Sequence, residues 1–303
     1  MLTDFQKNAT FYTFSHYLYI EQDDTSMKTY KVNPIPFKNI TDPIHSYILG
    51  LIWADGYVIP PYIIGLSTTY PDAEFFVPLF LKTGNWKYYD EQKRDNWKKS
   101  CQIKTSNREL VSFLVENDYT SKNKAPADKI LSHVPEHLLR YWLRGFFDGD
   151  GHLYTDNKGS HRVSFSGPYD QEWDHLQLLC EKVGVNGTIH KEIRNTGSGS
   201  TFTIYGMYKA IKFCEYMYNG YPGDNLGLQR KYEKLIQLKT TEEKNRFKGI
   251  CEYKLGPLKG KWRAYTSGAT GIPPKHLGIF TNKEDALQCV EKFYCSHPKI
   301  FLK

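Results

Sequence analysis

The sequence predicts an α+β protein: two similar halves that each join helices to an antiparallel sheet, followed by a small C-terminal sheet and helix. The first of three observations is a short string written twice. Ile48 to Tyr57 (ILGLIWADGY) and Leu143 to His152 (LRGFFDGDGH) superpose at a constant offset of 95 residues, pairing Gly50 with Gly145, Ala54 with Gly149, Asp55 with Asp150 and Gly56 with Gly151. The second is that the same order of helices and strands follows each copy. The third is a change of pattern after Phe247, where short strand-like runs are broken by Gly-rich turns and then give way to a helical run.

Both copies read as apolar helices that stop at a glycine. Asp42-Pro43 supplies an N-cap and N1 proline for a helix over 43–55, and Pro135 opens a second over 135–150. Within each, small residues four apart stack on one face, Gly50 with Ala54 and Gly145 with Gly149, which lets two helices approach closely. Each helix then ends in aspartate, a poor choice at the negative end of a helix dipole. Packed together, the helices would bring Asp55 and Asp150 side by side, and like charges at short range need a proton or a cation between them. Oxygen-liganded magnesium accounts for the arrangement.

The two segments resemble the paired motifs of LAGLIDADG homing endonucleases in the single-chain, two-motif form. That resemblance implies a pseudo-twofold pair of αββαββα half-domains, with the motif helices at their interface and saddle-shaped antiparallel sheets over duplex DNA. It implies site-specific, metal-dependent hydrolysis of both strands of a long asymmetric target. Mg2+ would be the working ion, with Mn2+ able to substitute and Ca2+ binding without supporting cleavage. The metal-binding acids would be Asp55 and Asp150, helped by the backbone carbonyls of Ala54 and Gly149. The motif's other acidic position is Asp148 in the second copy and Trp53 in the first, so Asp148 reads as a structural polar residue and Trp53 as packing.

Basic residues follow the last helix of each half. Tyr119 to Pro126 (YTSKNKAP) resembles the family segment with a central lysine, matched to Lys122 with Lys124 as the alternative; Leu228 to Leu235 (LQRKYEKL) offers Lys231, with Arg230 second. Lys122 and Lys231 are thus the expected catalytic cations. Ser67 and Ser166 end the first strand read in each half, near the expected active-site water.

Between the motifs, strands are read at 62–68, 86–89 and 102–104 with helices at 71–81 and 107–116; the second half repeats this with strands at 162–166, 187–192 and 201–205 and helices at 170–183 and 207–218. The boundaries drawn are 1–41 for an N-terminal extension, 42–132 and 133–244 for the half-domains, and 245–303 for the C-terminal unit. Base readout is expected from the sheets, through Lys87, Tyr89, Lys104, Arg162, Lys191, Arg194 and Thr203, because a β surface fits the major groove. A strand slipped by one position would exchange the DNA face for the packed face. The loops 91–99 and 194–200 join paired strands and suit backbone contacts.

In the C-terminal unit, strands are read at 249–253, 261–265 and 275–280 and a helix at 282–294, capped by Asn282. KWRAY (Lys261 to Tyr265) and KHLGIFTNKEDA (Lys275 to Ala286) resemble the AP2 DNA-binding domain, which implies contacts from Lys261, Trp262, Arg263 and Lys275. The first strand, GICEYKLG, has few of that family's arginines.

Composition limits the alternatives. The 303 residues are 40% hydrophobic, enough for a sizeable core, and no apolar run approaches the ~18 residues of a membrane helix. The six cysteines are too dispersed for a zinc knuckle, so a reduced intracellular protein with access to DNA is expected. The net charge is +7, and residues 241–303 carry 12 Lys or Arg against 6 Asp or Glu, a bias suited to a polyanionic partner. The duplicated layout lets a monomer supply both half-sites, with double-stranded DNA as partner. The rival reading is a non-cleaving nucleic-acid binder on the same scaffold, an intron-splicing cofactor or a regulator.

Overall fold

The computed structural model describes residues 32–91, 98–119, 127–155, 160–194, 197–246, 249–266 and 275–296. The N-terminal aromatic segment, most of the 91–99 loop, and the candidate lysines Lys122 and Lys124 lie outside them.

The first half runs α1 (Ile35–Lys38), α2 (Pro43–Asp55), β1 (Gly56–Ile59), β2 (Ile63–Thr69), α3 (Asp72–Leu81), β3 (Lys87–Glu91), β4 (Ser100–Ser106), α4 (Arg108–Glu116) and α5 (Asp128–Ser132). After a 3-10 turn at Glu136–Leu138, the second half runs α6 (Leu139–Asp150), β5 (Gly151–Thr155), β6 (His161–Gly167), α7 (Asp174–Val183), β7 (Thr188–Arg194), β8 (Gly197–Tyr205), α8 (Met207–Met217) and α9 (Gln229–Arg246). The two sheets are antiparallel and have the same strand order, β1-β2-β4-β3 and β5-β6-β8-β7. The expected α+β pair of halves is therefore present. The third sheet, β11 (His276–Phe280), β10 (Trp262–Tyr265) and β9 (Ile250–Glu252), carries α10 (Lys283–Ser296) and has its own small core of Ile250, Ala264, Ala286 and Val290.

Helix α2 begins where the sequence marks it: the Asp42 carboxylate accepts from the Ile44 N–H at 2.8 Å and Pro43 takes the first helical position. Helix α4 is capped in the same way, by Asn107 Oδ1 accepting from Leu110 N at 2.9 Å. Asn282 Oδ1 accepts from the Asp285 N–H at 2.8 Å at the head of α10. The second motif helix starts later than Pro135, because residues 136–138 wind as the tighter 3-10 turn. Helix α7 also starts late: Gln171 N–H donates to Pro168 O, closing a turn before Trp173.

The two motif helices cross at their small residues. A methyl group on Gly50 would lie 2.0 Å from the Trp142 carbonyl oxygen, and one on Gly145 would lie 2.0 Å from the Tyr47 carbonyl oxygen. Each glycine thus receives the backbone of the opposite helix. Around the crossing, Ser46 through Ala54 are all buried, so α2 is apolar on nearly every side rather than on one.

Charged groups inside this core are fully engaged. Asp148 is buried and accepts from Tyr47 Oη (2.6 Å), Tyr218 Oη (3.2 Å) and the Leu228 N–H (2.9 Å), the structural role expected of it. Burial nevertheless raises its pKa, against the lowering effect of Lys231 and these donors. Arg144, also buried, donates to the carbonyl oxygens of Met217 (2.8 Å), Asn219 (3.0 Å) and Leu226, and pairs with Asp224 at 2.9 Å. One guanidinium thereby organises the 217–226 connection between α8 and α9. Trp53 packs edge-on against Tyr119, with ring centroids 5.1 Å apart.

Several elements depart from the expectations. Strands β1 and β5 follow the motif helices without a linker and were not read individually. Helix α9 is a long helix where only a basic stretch was expected, and it passes the boundary drawn at residue 244. Gly197–Ser200, read as loop, belong to β8 and pair with Arg194–Lys191.

The crossing yields a stability prediction. Gly145→Ala should lower unfolding free energy by about 3 kcal/mol, the upper range for an overpacked core. Gly199→Ala, where a methyl group meets nothing closer than 3.4 Å, should not. Equal urea midpoints for the two variants would refute the close crossing.

Candidate active site

The local fold explains why two aspartates can share a cleft. Helices α2 and α6 end one residue after Ala54 and Gly149, and there the small residues touch: a methyl group on Gly149 would lie 2.3 Å from Ala54 Cβ and 3.1 Å from Asp55 Oδ2. The Asp55 carboxylate of the first half therefore lies over the end of the second half's helix. Asp55, Asp150, Ser67, Ser166, Tyr57 and Pro168 line one cleft of about 250 Å³. Asp55 is exposed and Asp150 half-buried. Tyr119, itself buried, feels both: burial first, then the charges of Asp55 and Asp150, raise its hydroxyl pKa well above the ordinary value.

Each helix end is held from within its own half, by Tyr119 just after α4 and by Lys231 in the first turn of α9. The Ile52 carbonyl accepts from Gly56 N–H and from Tyr119 Oη at 2.8 Å. At the position 95 residues later, the Phe147 carbonyl accepts from Gly151 N–H and from the Lys231 ammonium. Lys231 also donates to the carbonyls of Asp148 and Gly151, both at 2.8 Å. Its three N–H groups thus go to two carbonyls of the last turn of α6 and one at the start of β5. A cation there also offsets the dipole end on which Asp150 sits. Gly56 and Gly151 have ordinary extended backbones; they are required by space, since a methyl group on either would meet its own helix's last turn within 2.3 Å.

The Lys231 ammonium, expected as a catalytic cation, is thus turned onto the carbonyls at the end of α6. Burial is the main cause that brings its pKa down from 10.5 to about 8; Asp148 opposes this and Arg230 adds to it. Arg230, the second choice, spans the halves instead: its guanidinium grips both carboxylate oxygens of Asp72 at the start of α3. That pair, with Asp55, Gly149, Gln102 and Lys98, lines a second cavity of about 620 Å³.

Cross-strand register sorts the expected DNA contacts. In the first sheet Ile64, Leu66, Cys101 and Ile103 are buried, so the opposite face carries Ser67, Gln102, Lys104, Lys87 and Tyr89. Lys87 and Lys104 are direct partners, and Lys104 Nζ sits 4.5 Å from the centre of the Tyr89 ring. These three expected residues come together. In the second sheet the open face carries His152, Tyr154, Arg162, Ser166, Thr203 and Tyr205. Arg162 stacks on Tyr154 at 4.8 Å, while Thr203 is buried beside Ser164. Lys191 does not join them: it pairs with Ser200, on the face of Phe202, and its ammonium lies over Tyr169. Arg194 ends β7, and its side chain lies outside the described residues.

In the C-terminal sheet Trp262 shares the face of Ala264 and packs on the helix-side core, so it is not brought to the surface with Arg263. Arg263 lies on the opposite face, and Lys261, two residues before it, is exposed. Lys275 is directed to α10, its ammonium 5.8 Å from the centre of the Phe293 ring. Cys101, Cys180 and Cys214 are buried, and burial pushes the first two thiols up to about 11 and about 12.

The pH dependence of Lys231 can be tested directly. The folded chain releases this proton at lower pH than the unfolded chain, so its contribution to stability is lost as pH falls through about 8 and recovered towards 10.5. The stability difference between the native chain and Lys231→Met, measured without divalent ions, should grow by roughly 2–3 kcal/mol across that window. A flat difference would place the ammonium in solvent.

Residues 137–218 match the family model of a LAGLIDADG-like domain, a span that contains the second motif. Among curated proteins, 161 residues are 24% identical to an ATP-dependent DNA helicase of Thermococcus kodakarensis, covering 51% of this chain and 14% of the helicase. A further 178 residues are 25% identical to an uncharacterized protein of Methanocaldococcus jannaschii, covering 55% of this chain and 62% of that protein. The chain thus spans less than two thirds of either relative. Solved structures similar to this one include the I-SmaMI meganuclease bound to uncleavable DNA (TM-score 0.44, 13% identity, 71% of this chain and 92% of that one). The I-LtrWI LAGLIDADG homing endonuclease bound to target DNA gives a TM-score of 0.42 at 16% identity, over 67% of this chain and 92% of that one. Full-length DUF199/WhiA from Thermotoga maritima gives 0.42 at 18% identity, over 69% and 65%. The family match thus spans part of the second half, from the turn before α6 to the end of α8.

Proposed function

We propose that the chain is a site-specific, metal-dependent DNA endonuclease that hydrolyses both strands of a long asymmetric target, acting as a monomer. The observation that carries this is the meeting of Asp55 and Asp150 in one cleft at the ends of two packed helices. Open sheet faces bearing Lys87, Lys104, Tyr89 and Arg162 support a duplex partner.

Two carboxylates and the hydroxyls of Ser67 and Ser166 around an open cleft suit Mg2+, which takes one or two carboxylates and fills its shell with water and phosphate oxygens. Among the described residues no three His, Cys, Asp or Glu side chains gather into a protein-built cage. Asp55 and Asp150 would hold the ion, with the carbonyls of Ala54 and Gly149 as further ligands. Bound magnesium would polarise the scissile phosphates and lower the pKa of attacking water. Lys231 and Tyr119 hold the helix ends so that the acids face the cleft, and Lys231 adds a fixed positive charge. Residues 42–132 and 133–244 would each serve one half-site, and 245–303 would add AP2-like contacts through Lys261 and Arg263.

One observation favours a second reading, a non-cleaving DNA binder: the ammonium of Lys231 has no donor left for a phosphate. Cutting separates the two. On a plasmid library of candidate targets, Mg2+ should produce a linear product, and Asp55→Asn or Asp150→Asn should lower the rate at least ~100-fold, as loss of a key charge-stabilising group does, while duplex binding persists. Binding without cutting under Mg2+ or Mn2+ would establish the second reading.

A further inference from the structure

The open face of the first sheet changes character along its strands. At the cleft it carries Ser67 with its partner Gln102, and further out Lys104, paired with Gly65 on one side and Lys87 on the other. At the outer end it turns apolar, where Ile59 to Ile63 reads IPPYI. Ile59 and Ile63 are direct cross-strand partners, while Val58 and Ile64, next to each, pack into the core on the other face. The two isoleucines therefore lie on the face of Lys104. Ile59 is 55% exposed and Tyr62 52%, with Pro60 and Pro61 exposed between them. The tip is anchored: the Tyr62 N–H donates to the Ile59 carbonyl at 3.3 Å, and the Tyr62 carbonyl accepts from the Asn107 N–H at 2.7 Å, at the head of α4. A fixed, exposed apolar run of this length marks a contact surface. Ile59 stands three residues after Gly56, as Tyr154 does after Gly151, and the partner of Tyr154 is Arg162, so the apolar end belongs to the first sheet.

We infer that Ile59 and Ile63 are specificity-determining residues that pack on thymine 5-methyl groups in the major groove, in the outer part of the half-site served by residues 42–132. The inference rests on the DNA-binding reading above and adds an apolar contact to it. The occupant follows from position. Ile63 lies four residues from Ser67 along β2, about 13 Å at the rise of a strand, so a duplex lying over the cleft and Lys104 continues past the isoleucines. The thymine methyl is the apolar group that the major groove presents, and it marks T against the other bases. Isoleucine, stiff at its β-carbon, loses little freedom in making such a contact. With Tyr154 and Arg162 in the equivalent place, the other half-site gains no such preference, and an asymmetric target is read in one orientation.

The test is the selection of binding sites from a randomised duplex library by the full-length native chain and by Ile59→Ser/Ile63→Ser, in chelator so that nothing is cut. The native pool should favour thymine at one outer end of the enriched site, and the variant pool should lose that preference there while keeping the rest of the site. On the native chain alone, replacing those thymines by uracil, which removes only the methyl, should weaken binding about 4-fold for each methyl. The same replacement at the other outer end should change nothing. A native pool without thymine preference at either outer end, a preference that survives in the variant, or uracil bound as tightly as thymine at the favoured end overturns the contact while the DNA-binding reading stands. A native chain that enriches no duplex overturns both.

Discussion

The close crossing of α2 and α6 is the constraint on which the rest of the structure depends. Backbone meets backbone at Gly50 and Gly145, so the two helices run together to their ends, and whatever the sequence places there is shared between the halves. Because Ala54 abuts Gly149, the Asp55 side chain reaches over the opposite helix, and one cleft has walls from both halves. The sheets then extend outward with identical strand order, each presenting its polar face beyond this centre.

Holding carboxylates at a helix C-terminus is electrostatically unfavourable, and the chain answers it differently in each half. Tyr119 gives the first helix end a neutral hydroxyl donor; Lys231 gives the second an ammonium with all three hydrogens bonded to carbonyls. Tyr119 follows α4 and Lys231 lies in the first turn of α9, so each half supplies the group that holds its own helix end. The asymmetry continues outward, where Arg230 of the second half crosses to Asp72 of the first.

Much of this was legible in the sequence because it is set by local rules. The small residues four apart announced the crossing, and Asp42-Pro43 the start of α2. What was missed depends on partners distant in sequence. Arg144 looks anomalous in an apolar helix, but only the return of the chain at Asp224 explains it. Lys231 and Arg230 both resemble exposed catalytic cations in the string LQRKYEKL; which one is buried follows from the phase of α9, a helix whose polar composition hid its periodicity. Lys191 falls on the face opposite to that expected, because a strand's facing reverses with every residue and β7 contains too few buried positions to fix its phase.

The central claim is that Asp55 and Asp150, from distant parts of the chain, act on one shared site. Calorimetric titration of Mn2+ into the native chain, the two single Asp→Asn variants and the double variant tests it most directly. A shared site predicts that each single substitution weakens binding by at least ~10-fold, with the double variant losing much less than the two effects combined, the non-additivity expected of groups in one network. Single variants that retain native affinity, or losses that simply add, would contradict it.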